Sequence, residues 1–466
     1  MTEEKTRAEQ LKEKLFYNKK NATRRMSDEE LAKAYDFCEG YKQFLNSSKT
    51  EREAVRSAIA ILEKNGFKPL EYGKKYLPGD RVYYDNRGKA IVAATIGTRP
   101  FSDGLRIAAA HVDSPRLDLK PNPLYEDSEL AFFKSQYYGG IKKYQWTTVA
   151  LAAHGCIVKK NGERIDVCIG EAPDDQVFCV TDLLPHLAQK QEKRPLGEGI
   201  KGEELNIILG SRCYRDDKIE ESVKLNILNL LFEKYGVTEE DFLSAELTFV
   251  PAEKARDVGL DRSMVGAYGQ DDRVCAYTEL MAALDATAPE YTAVTIFADR
   301  EETGSDGNTG MNSAFLQNVV SALIEPYGVP LWLVLSKSKC FSADVNSAYD
   351  PTFANVSEFR NASRLGYGTV VTKYTGSGGK YSTSEASAEF MAFTRELLDR
   401  NNVIWQTGEL GKVDVGGGGT VAMYLAKLDI DVVDVGVAVL SMHAPLELVS
   451  KADVYNTYLA FRCFYE

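Results

Sequence analysis

Four segments of the chain place a metal-binding side chain at or after the end of an apolar run. They are His111-Val-Asp113-Ser-Pro, Asp299-Arg-Glu301-Glu302-Thr, Ser342-Ala-Asp344-Val and Ser441-Met-His443-Ala-Pro. The apolar runs predict buried strands, and ligand sites in open α/β sheets form outside the carboxyl ends of strands. A single segment of this kind is typical of a polar side chain that meets solvent. Four such segments, which use two of the chain's four histidines, predict one shared site.

A fifth carboxylate stands at the start of a predicted helix, in Gly269-Gln-Asp271-Asp272-Arg. Either aspartate is of the type that caps a helix, but the strand-end cluster favours Asp271 as a metal ligand. The candidate ligand set is therefore His111, Asp271, Glu302, Asp344 and His443. Two imidazoles and three carboxylates suit two divalent ions, zinc above all, with cobalt or manganese as alternatives. Such a pair, about 3.5–4 Å apart, activates water and polarises a carbonyl.

Two more carboxylates are candidates for catalytic roles. Asp113 follows His111 by two residues, and side chains so spaced in an extended chain face the same way. Asp113 can therefore accept the second imidazole N–H, although an aspartate before Ser-Pro is also typical of a turn. Glu301 and Glu302 are adjacent and point to opposite sides of an extended chain. We assign Glu302 to the metal and Glu301 to the water as general base, an order that spacing alone leaves open.

The remaining candidates come from less specific patterns. His154 and, in its own sequence context, His186 are interpreted as structural histidines, because histidine is often partly buried without a catalytic role. The run at 416–419 lacks the Gly-Lys-Ser/Thr of a phosphate loop, so Gly417 is a candidate for close approach to a substrate backbone. Lys380 and Tyr381 end a glycine-rich segment that is either a substrate contact or a solvated loop.

The elements that must position these residues predict an α/β fold. After about residue 248, helices predicted at 271–284, 313–324, 384–399 and 452–464 alternate with strands predicted at 291–298, 331–335 and 432–440. This alternation indicates a sheet covered on both faces. Residues 1–65 are predicted to be helical. Residues 116–247 contain short strands between Asn-Gly and Gly-Gly turns. We therefore expect one domain formed by 1–115 and 248–466, interrupted by a β-rich domain at 116–247.

Composition excludes several classes of protein. The 466-residue chain carries a net charge of −12, which argues against a nucleic-acid partner because such proteins present a basic surface. No apolar run reaches the length of a membrane span. The charged N-terminal segment and the eight cysteines without a Cys-x-x-Cys pair predict a cytoplasmic protein with reduced thiols.

Taken in order, these motifs resemble the aspartyl aminopeptidase family of dinuclear metallopeptidases. The resemblance covers nearly the whole chain and rests on the segments that begin at His111, Gln270, Asp299, Ser342 and Ser441. It implies a phosphorylase/hydrolase-like catalytic domain, with a central mixed sheet and helices on both faces, interrupted by a dimerisation domain. It implies a metal-dependent aminopeptidase that acts on peptides.

The resemblance also implies roles for individual residues. His111 and Asp344 would hold one zinc ion, Glu302 and His443 the other, and Asp271 would bridge them. Glu301 matches the family's general base and Asp113 its histidine-orienting aspartate. Pro185-His186-Leu187 matches a family segment whose histidine reaches the active site of a neighbouring subunit, in dodecamers built from dimers.

Three segments depart from the family pattern. Asp271-Asp272 replaces Asp-Asn, Asp344-Val-Asn346-Ser replaces Asp-Met-Ala-His, and Gly417-Gly-Gly-Thr replaces Cys-Gly-Ser-Thr. The preferred N-terminal residue, acidic or neutral, therefore stays open. Two other functions are alternatives: a related di-metal carboxypeptidase or amide deacylase, and an inactive assembly or binding shell on the same fold.

Overall fold

The computed structural model describes residues 5–17, 19–216 and 218–466, so residues 1–4, 18 and 217 of the predicted segments lie outside it. The helices are α1 (Arg7–Leu15), α2 (Asp28–Asn46), α3 (Glu51–Lys64), α4 (Ser222–Tyr235), α5 (Gln270–Asp285), α6 (Phe315–Ile324), α7 (Leu331–Ser336), α8 (Ala388–Arg400), α9 (Ala422–Ala426) and α10 (Lys451–Tyr465). The strands are β1 (Lys68–Pro69), β2 (Arg81–Asn86), β3 (Ala90–Thr95), β4 (Leu105–His111), β5 (Arg116–Asp127), β6 (Leu130–Tyr138), β7 (Leu151–Val158), β8 (Arg164–Ile169), β9 (Cys179–Val180), β10 (Asn206–Gly210), β11 (Ala245–Pro251), β12 (Arg256–Val258), β13 (Met264–Ala267), β14 (Thr292–Ala298), β15 (Lys339–Ser342), β16 (Asn346–Ser347), β17 (Thr369–Thr372), β18 (Trp405–Thr407), β19 (Asp431–Gly436), β20 (Ala438–Leu440) and β21 (Glu447–Ser450).

A nine-stranded mixed sheet forms the centre of the fold, in the order β1-β2-β3-β14-β4-β15-β19-β17-β18. Its four middle strands, β14, β4, β15 and β19, run parallel. Ala298 pairs with His111, and Ser342 pairs with Ala109. Because of this register, the segments after β4, β14 and β15 leave the same edge of the sheet.

Helices cover both faces of this sheet. On one face α2, α3, α5, α8 and α10 contribute to a single apolar core, and on the opposite face α6, α7 and α9 contribute to another. Strand β4 supplies both cores because its side chains alternate: Ala108 and Ala110 enter the first, Ile107 and Ala109 the second. The alternation explains why this strand reads as a continuous apolar run.

The segment after β4 forms a second, antiparallel sheet in the order β8-β7-β11-β5-β6-β10-β9. This sheet packs with α4 around its own apolar core, which includes Trp146 and Phe249. The last strand, β11, continues to Pro251, which pairs with Leu151. The β-rich segment therefore extends four residues past the expected boundary at 247.

A small third sheet, in the order β12-β13-β21-β20-β16, lies beside the ends of the central strands. Among the residues that the structure describes, no helix combines the length and apolar character needed to cross a bilayer.

Several predicted elements are confirmed and two are wrong. The helices predicted at 271–284, 313–324 and 452–464 match α5, α6 and α10. The predicted strand 331–335 is instead the helix α7, and the strand that leads to Asp344 is β15. Short apolar runs do not distinguish the two states; here Trp332 is 70% exposed while Val334 and Leu335 are buried, as on a helix.

The strand predicted at 432–440 is divided into β19 and β20, which belong to different sheets. The division occurs after Gly436, where an added Cβ would overlap the carbonyl oxygen of Asp344. His443 therefore follows a strand of the small sheet, not a strand of the central one.

Candidate metal centre

His111 occupies the carboxyl end of β4 and is buried. Its Nε2 lies 3.1 Å from Oδ1 of Asp271 and 4.0 Å from Oδ1 of Asp344. Its Nδ1 lies 3.1 Å from the backbone oxygen of Asp113. Because a carbonyl oxygen only accepts, Nδ1 carries the hydrogen, and Nε2 is the atom available to a metal.

Asp271, in the first turn of α5, lies between the two imidazoles. Its second oxygen, Oδ2, is 3.1 Å from Nε2 of His443. The same Nε2 is 3.5 Å from Oε1 of Glu302. Nδ1 of His443 donates to the backbone oxygen of Gly140, 2.7 Å away, in the loop that follows β6. Both histidines therefore present Nε2 to opposite oxygens of one carboxylate.

The carboxylate of Asp113 fixes the turn that carries the two glutamates. It accepts the backbone N–H groups of Glu301 at 3.1 Å and Glu302 at 3.2 Å, and the hydroxyl of Tyr138 at 2.7 Å. Its Oδ1 is 3.4 Å from Nδ1 of His111, whose hydrogen bond goes to the carbonyl of the same residue. Asp113 thus joins β4, the 301–303 turn and the inserted segment.

The electrostatics of the cluster call for positive charge. Burial raises the pKa of Glu301 to about 7, and burial also raises the pKa values of Glu302 and Asp344 well above their ordinary range. Burial would raise the pKa of Asp271 too, but its hydrogen bonds with the two histidines hold that pKa below its usual value. The cluster contains more buried carboxylates than imidazoles. Bound cations would supply the positive charge that compensates the excess of carboxylates.

The donor atoms fit divalent ions. Ligand atoms of His111, Asp271 and Glu302 lie within 4.8 Å of one another, as do those of His111, Asp272 and Asp344. Within the described residues, buried Oε1 of Glu302 and both carboxylate oxygens of Asp272 have no hydrogen-bond partner. Imidazole nitrogens and carboxylate oxygens are the donors that zinc takes outside thiolate sites.

The three candidate substrate contacts lie on two loops that touch each other. Gly376 donates its N–H to the carbonyl of Gly418 at 2.6 Å, and a Cβ on Gly417 would overlap the carbonyl of Gly376. The close backbone approach at Gly417 is thus to the chain itself. Lys380 binds Glu385 at 2.9 Å, while Tyr381 is 73% exposed.

His186 is not part of this cluster of contacts. It lies on the short 3-10 helix Pro185–Leu187 in the inserted segment and is exposed. Leu183, Leu184 and Leu187, which flank it, are each at least half exposed. His154, by contrast, is buried between the carboxylates of Glu53 and Glu171.

Sequence reasoning missed four residues of the centre: Tyr138, Gly140, Asp272 and Glu447. The sequence pattern indicates only a helix cap for Asp272. Glu447 stands four residues after His443, within a motif that the sequence singles out, and that proximity was the one available signal. Gly140 contributes only a backbone carbonyl, so its residue type gives no indication of the contact.

Imidazole and carboxylate donors gather near the strand ends of an α/β sheet, and Glu301, a carboxylate with a raised pKa, lies among them. This combination defines a metal-dependent hydrolase. The sequence profile described as "Aminopeptidase I zinc metalloprotease (M18)" matches residues 44–465. The chain therefore belongs to the M18 family of zinc aminopeptidases, as the resemblance predicted.

Individual relatives agree with this assignment. The chain is 48% identical over 453 residues to a probable M18 family aminopeptidase 1 of Clostridium acetobutylicum, covering 96% of this chain and 97% of that protein. The crystal structure of an M18 family aminopeptidase from Thermotoga maritima matches with a TM-score of 0.93 and 45% identity, covering 97% of this chain and all of that one.

A more distant structure, the mApe1 dodecamer of S. cerevisiae, shares the fold at 21% identity and a TM-score of 0.74, covering 93% of this chain and 96% of that one. The protein is an aminopeptidase of a zinc-dependent family, and this identification favours aminopeptidase activity over the carboxypeptidase, deacylase and inactive-shell alternatives.

Proposed function

We propose that the chain binds two zinc ions and uses them to remove N-terminal residues from peptides. One ion would lie among His111, Asp344 and Asp271, and the second among His443, Glu302 and Asp271. The observation that carries this proposal is the 3.1 Å distance from each oxygen of Asp271 to one of the two imidazoles. A carboxylate in that position is suited to bridge two ions.

The chemistry divides between the ions and one free carboxylate. Bound zinc would supply electrophilic activation of the water and of the scissile carbonyl. Glu301 takes the proton from the attacking water and passes it to the leaving amine. The raised pKa of Glu301, about 7, makes it a stronger base toward that water than an ordinary carboxylate. Asp113 holds the backbone of Glu301 in place and, through its carbonyl, the imidazole of His111.

We further propose the domain arrangement that the resemblance implies. Residues 1–115 and 248–466 form a phosphorylase/hydrolase-like catalytic domain, and the insertion at 116–247, whose last strand runs on to Pro251, mediates dimerisation. The exposed leucines around His186 support its placement against a neighbouring subunit, where it would contribute to substrate or transition-state binding. Dimers would assemble into a dodecamer, the state named for the S. cerevisiae relative, in the cytoplasm.

Lys380, Tyr381 and Gly417 are proposed to line the substrate pocket. Lys373 and Lys380 lie 3.5 Å and 2.9 Å from the same carboxylate, that of Glu385, which leaves one net positive charge in this loop. This net positive charge favours a substrate with an acidic N-terminal residue. A neutral one is the second candidate, because Glu385 is already close enough to neutralise Lys380.

A single experiment tests reaction, cofactor and specificity. Metal-depleted protein would be assayed on a panel of aminoacyl chromogenic substrates before and after addition of zinc, cobalt or manganese. We expect no turnover without metal and restored turnover with zinc, highest on acidic substrates. Activity on N-blocked substrates, or equal activity with and without metal, would contradict the proposal. A preference for leucyl over aspartyl substrates would move the specificity to neutral residues.

A further inference from the structure

Glu447 stands at the start of β21, beside the proposed centre, and is buried. Its Oε2 accepts the backbone N–H groups of Gln270 at 2.6 Å and Asp271 at 3.2 Å. Its Oε1 accepts the backbone N–H of His443 at 2.7 Å. One carboxylate thus holds two separate turns, and each turn carries a proposed ligand of the same ion.

Both turns need such support. His443 has φ +65° and Ser441 has φ +58°, a left-handed conformation that is strained for residues other than glycine. The turn before Asp271 contains Gly269 at φ +71°. A conformation of this kind persists when surrounding contacts over-determine it, and three hydrogen bonds to the side chain of Glu447 supply those contacts.

A second set of contacts fixes the backbone of Glu447. The side-chain Nε2 of Gln270 donates to the backbone oxygen of Glu447 at 2.6 Å and to that of Val265 at 3.2 Å. Its Oε1 accepts the hydroxyl of buried Tyr41 at 3.1 Å. Hydrogen bonds therefore join three elements: the start of α5, the start of β21 and the His443 turn.

From this geometry we infer that Glu447 is the positioning residue for the ion held by Asp271, Glu302 and His443. It touches neither the metal nor the substrate; it sets the distance and orientation between the Asp271 and His443 side chains before metal binds. This inference rests on the two-ion centre proposed above. Glu447→Gln isolates the role, because an amide keeps only one acceptor oxygen and turns its NH₂ toward backbone donors on the opposite side.

The test uses the full chain, stripped of metal and titrated with Co²⁺, with binding followed by visible absorption. Wild-type protein is expected to bind two ions per chain. Glu447→Gln is expected to bind the ion at His443 about 10–100-fold more weakly, with altered absorption of that ion, and the ion at His111 with a smaller loss because the two ions share only Asp271.

Asp453→Asn is the matched control. Asp453 is also a buried carboxylate that accepts two backbone N–H groups, those of Gly366 and Gly368, both at 2.6 Å. It serves no proposed ligand, so its variant should bind both ions normally. Equal loss of Co²⁺ affinity in both variants, or none in Glu447→Gln, would overturn the inference. Fewer than two ions on the wild-type protein would overturn the two-ion centre as well, so the two failures are distinguishable.

Hydrogen exchange on the wild-type protein gives a second test that does not depend on the variant folding. In metal-free protein, peptides that carry the amides of Gln270, Asp271 and His443 should exchange slowly, because Glu447 already holds these groups. Exchange as fast as that of the exposed turn at 259–262, with protection only after Co²⁺ is added, would show that the metal itself does the positioning.

Discussion

The backbone carbonyl of Gly140 accepts a hydrogen bond from Nδ1 of His443 at 2.7 Å, across 303 residues of sequence. This contact fixes the tautomer of the imidazole, so Nε2 is left free for a metal. Gly140 follows β6, the strand that belongs to the inserted sheet. The inserted segment therefore contributes to the orientation of a proposed ligand within the same chain, in addition to any contact that it makes with a neighbouring subunit.

Gly140→Ala should disturb this contact. An added Cβ would lie 3.3 Å from Nδ1 of His443, closer than nearly all real Cβ contacts, so the ring or the loop must shift by a few tenths of an ångström. We expect zinc affinity to fall about 10-fold, at the low end of the effect of changes around metal ligands, which a competition titration with a chelator would measure. Gly197→Ala, whose added atom has no atom of the described residues within 4 Å, is the control. Equal affinities in both variants would contradict this role for Gly140.

Glu301→Gln should remove turnover without removing metal. The amide cannot accept the proton of the attacking water, so kcat should fall by about 10²–10⁴-fold while zinc content stays near that of wild type. Glu302→Gln makes the complementary comparison, because it should lower zinc content. If Glu301→Gln loses zinc and Glu302→Gln keeps it, the two roles are exchanged. Metal analysis and steady-state kinetics on both variants decide the matter.

Much of the fold could be predicted from the sequence because long periodic segments are unambiguous. Helix α2 lies in the segment 1–65 that is predicted to be helical, and it begins with a capping box in which Glu30 donates its backbone N–H to the Ser27 hydroxyl. The apolar run before His111 forms the buried strand β4, as predicted. The helix α7 could not be predicted, because five apolar residues satisfy either period.

The candidate site was only partly predictable for a different reason. For side chains such as His111 and Asp344, the residue type alone indicates a metal ligand. The groups that orient them do not: the carbonyls of Asp113 and Gly140 belong to every residue, and only folding brings them to the imidazoles. Glu447 has a suggestive residue type, but its role depends on backbone N–H groups from a segment 176 residues earlier in the chain.

Metal binding should release protons at neutral pH. In the metal-free chain burial lowers the pKa of His443, but its hydrogen bond with Asp271 and the negative charges of Glu302 and Asp271 together outweigh burial and raise that pKa to about 10. The pKa of His111 is likewise raised well above its usual value. Zinc takes neutral imidazole and ionised carboxylate, so binding at pH 7 should release two or more protons per chain, from the two imidazoles and from Glu302 and Asp344, and affinity should rise with pH.

Calorimetry in two buffers of different ionisation enthalpy measures this number directly. His443→Gln should release about one proton fewer than wild type, since one imidazole is missing. Release near zero in the wild-type protein would mean that the histidines are already neutral before metal binds.

His154 should stabilise the contact between the inserted sheet and α3 through its charge. It lies 2.8 Å from Glu53 and 3.1 Å from Glu171; burial lowers its pKa, but its hydrogen bonds to Cys168, Glu171 and Glu53 together outweigh burial and raise the pKa to about 11. His154→Gln leaves two carboxylates without the cation between them, so the free energy of unfolding at pH 7 should fall by about 3–5 kcal/mol.

The pH dependence of that difference follows from the direction of the pKa shift. The pKa in the folded state is above the ordinary value of about 6.5, so the stabilisation is complete below that pH and is lost as pH rises toward 11. Between pH 7 and 9 the gap between wild type and His154→Gln should shrink by up to about 1.4 kcal/mol per pH unit. Urea unfolding at one protein concentration measures it, because assembly ties stability to concentration. A gap that stays constant from pH 7 to 9 would mean that His154 is neutral in the folded protein and acts only through hydrogen bonding.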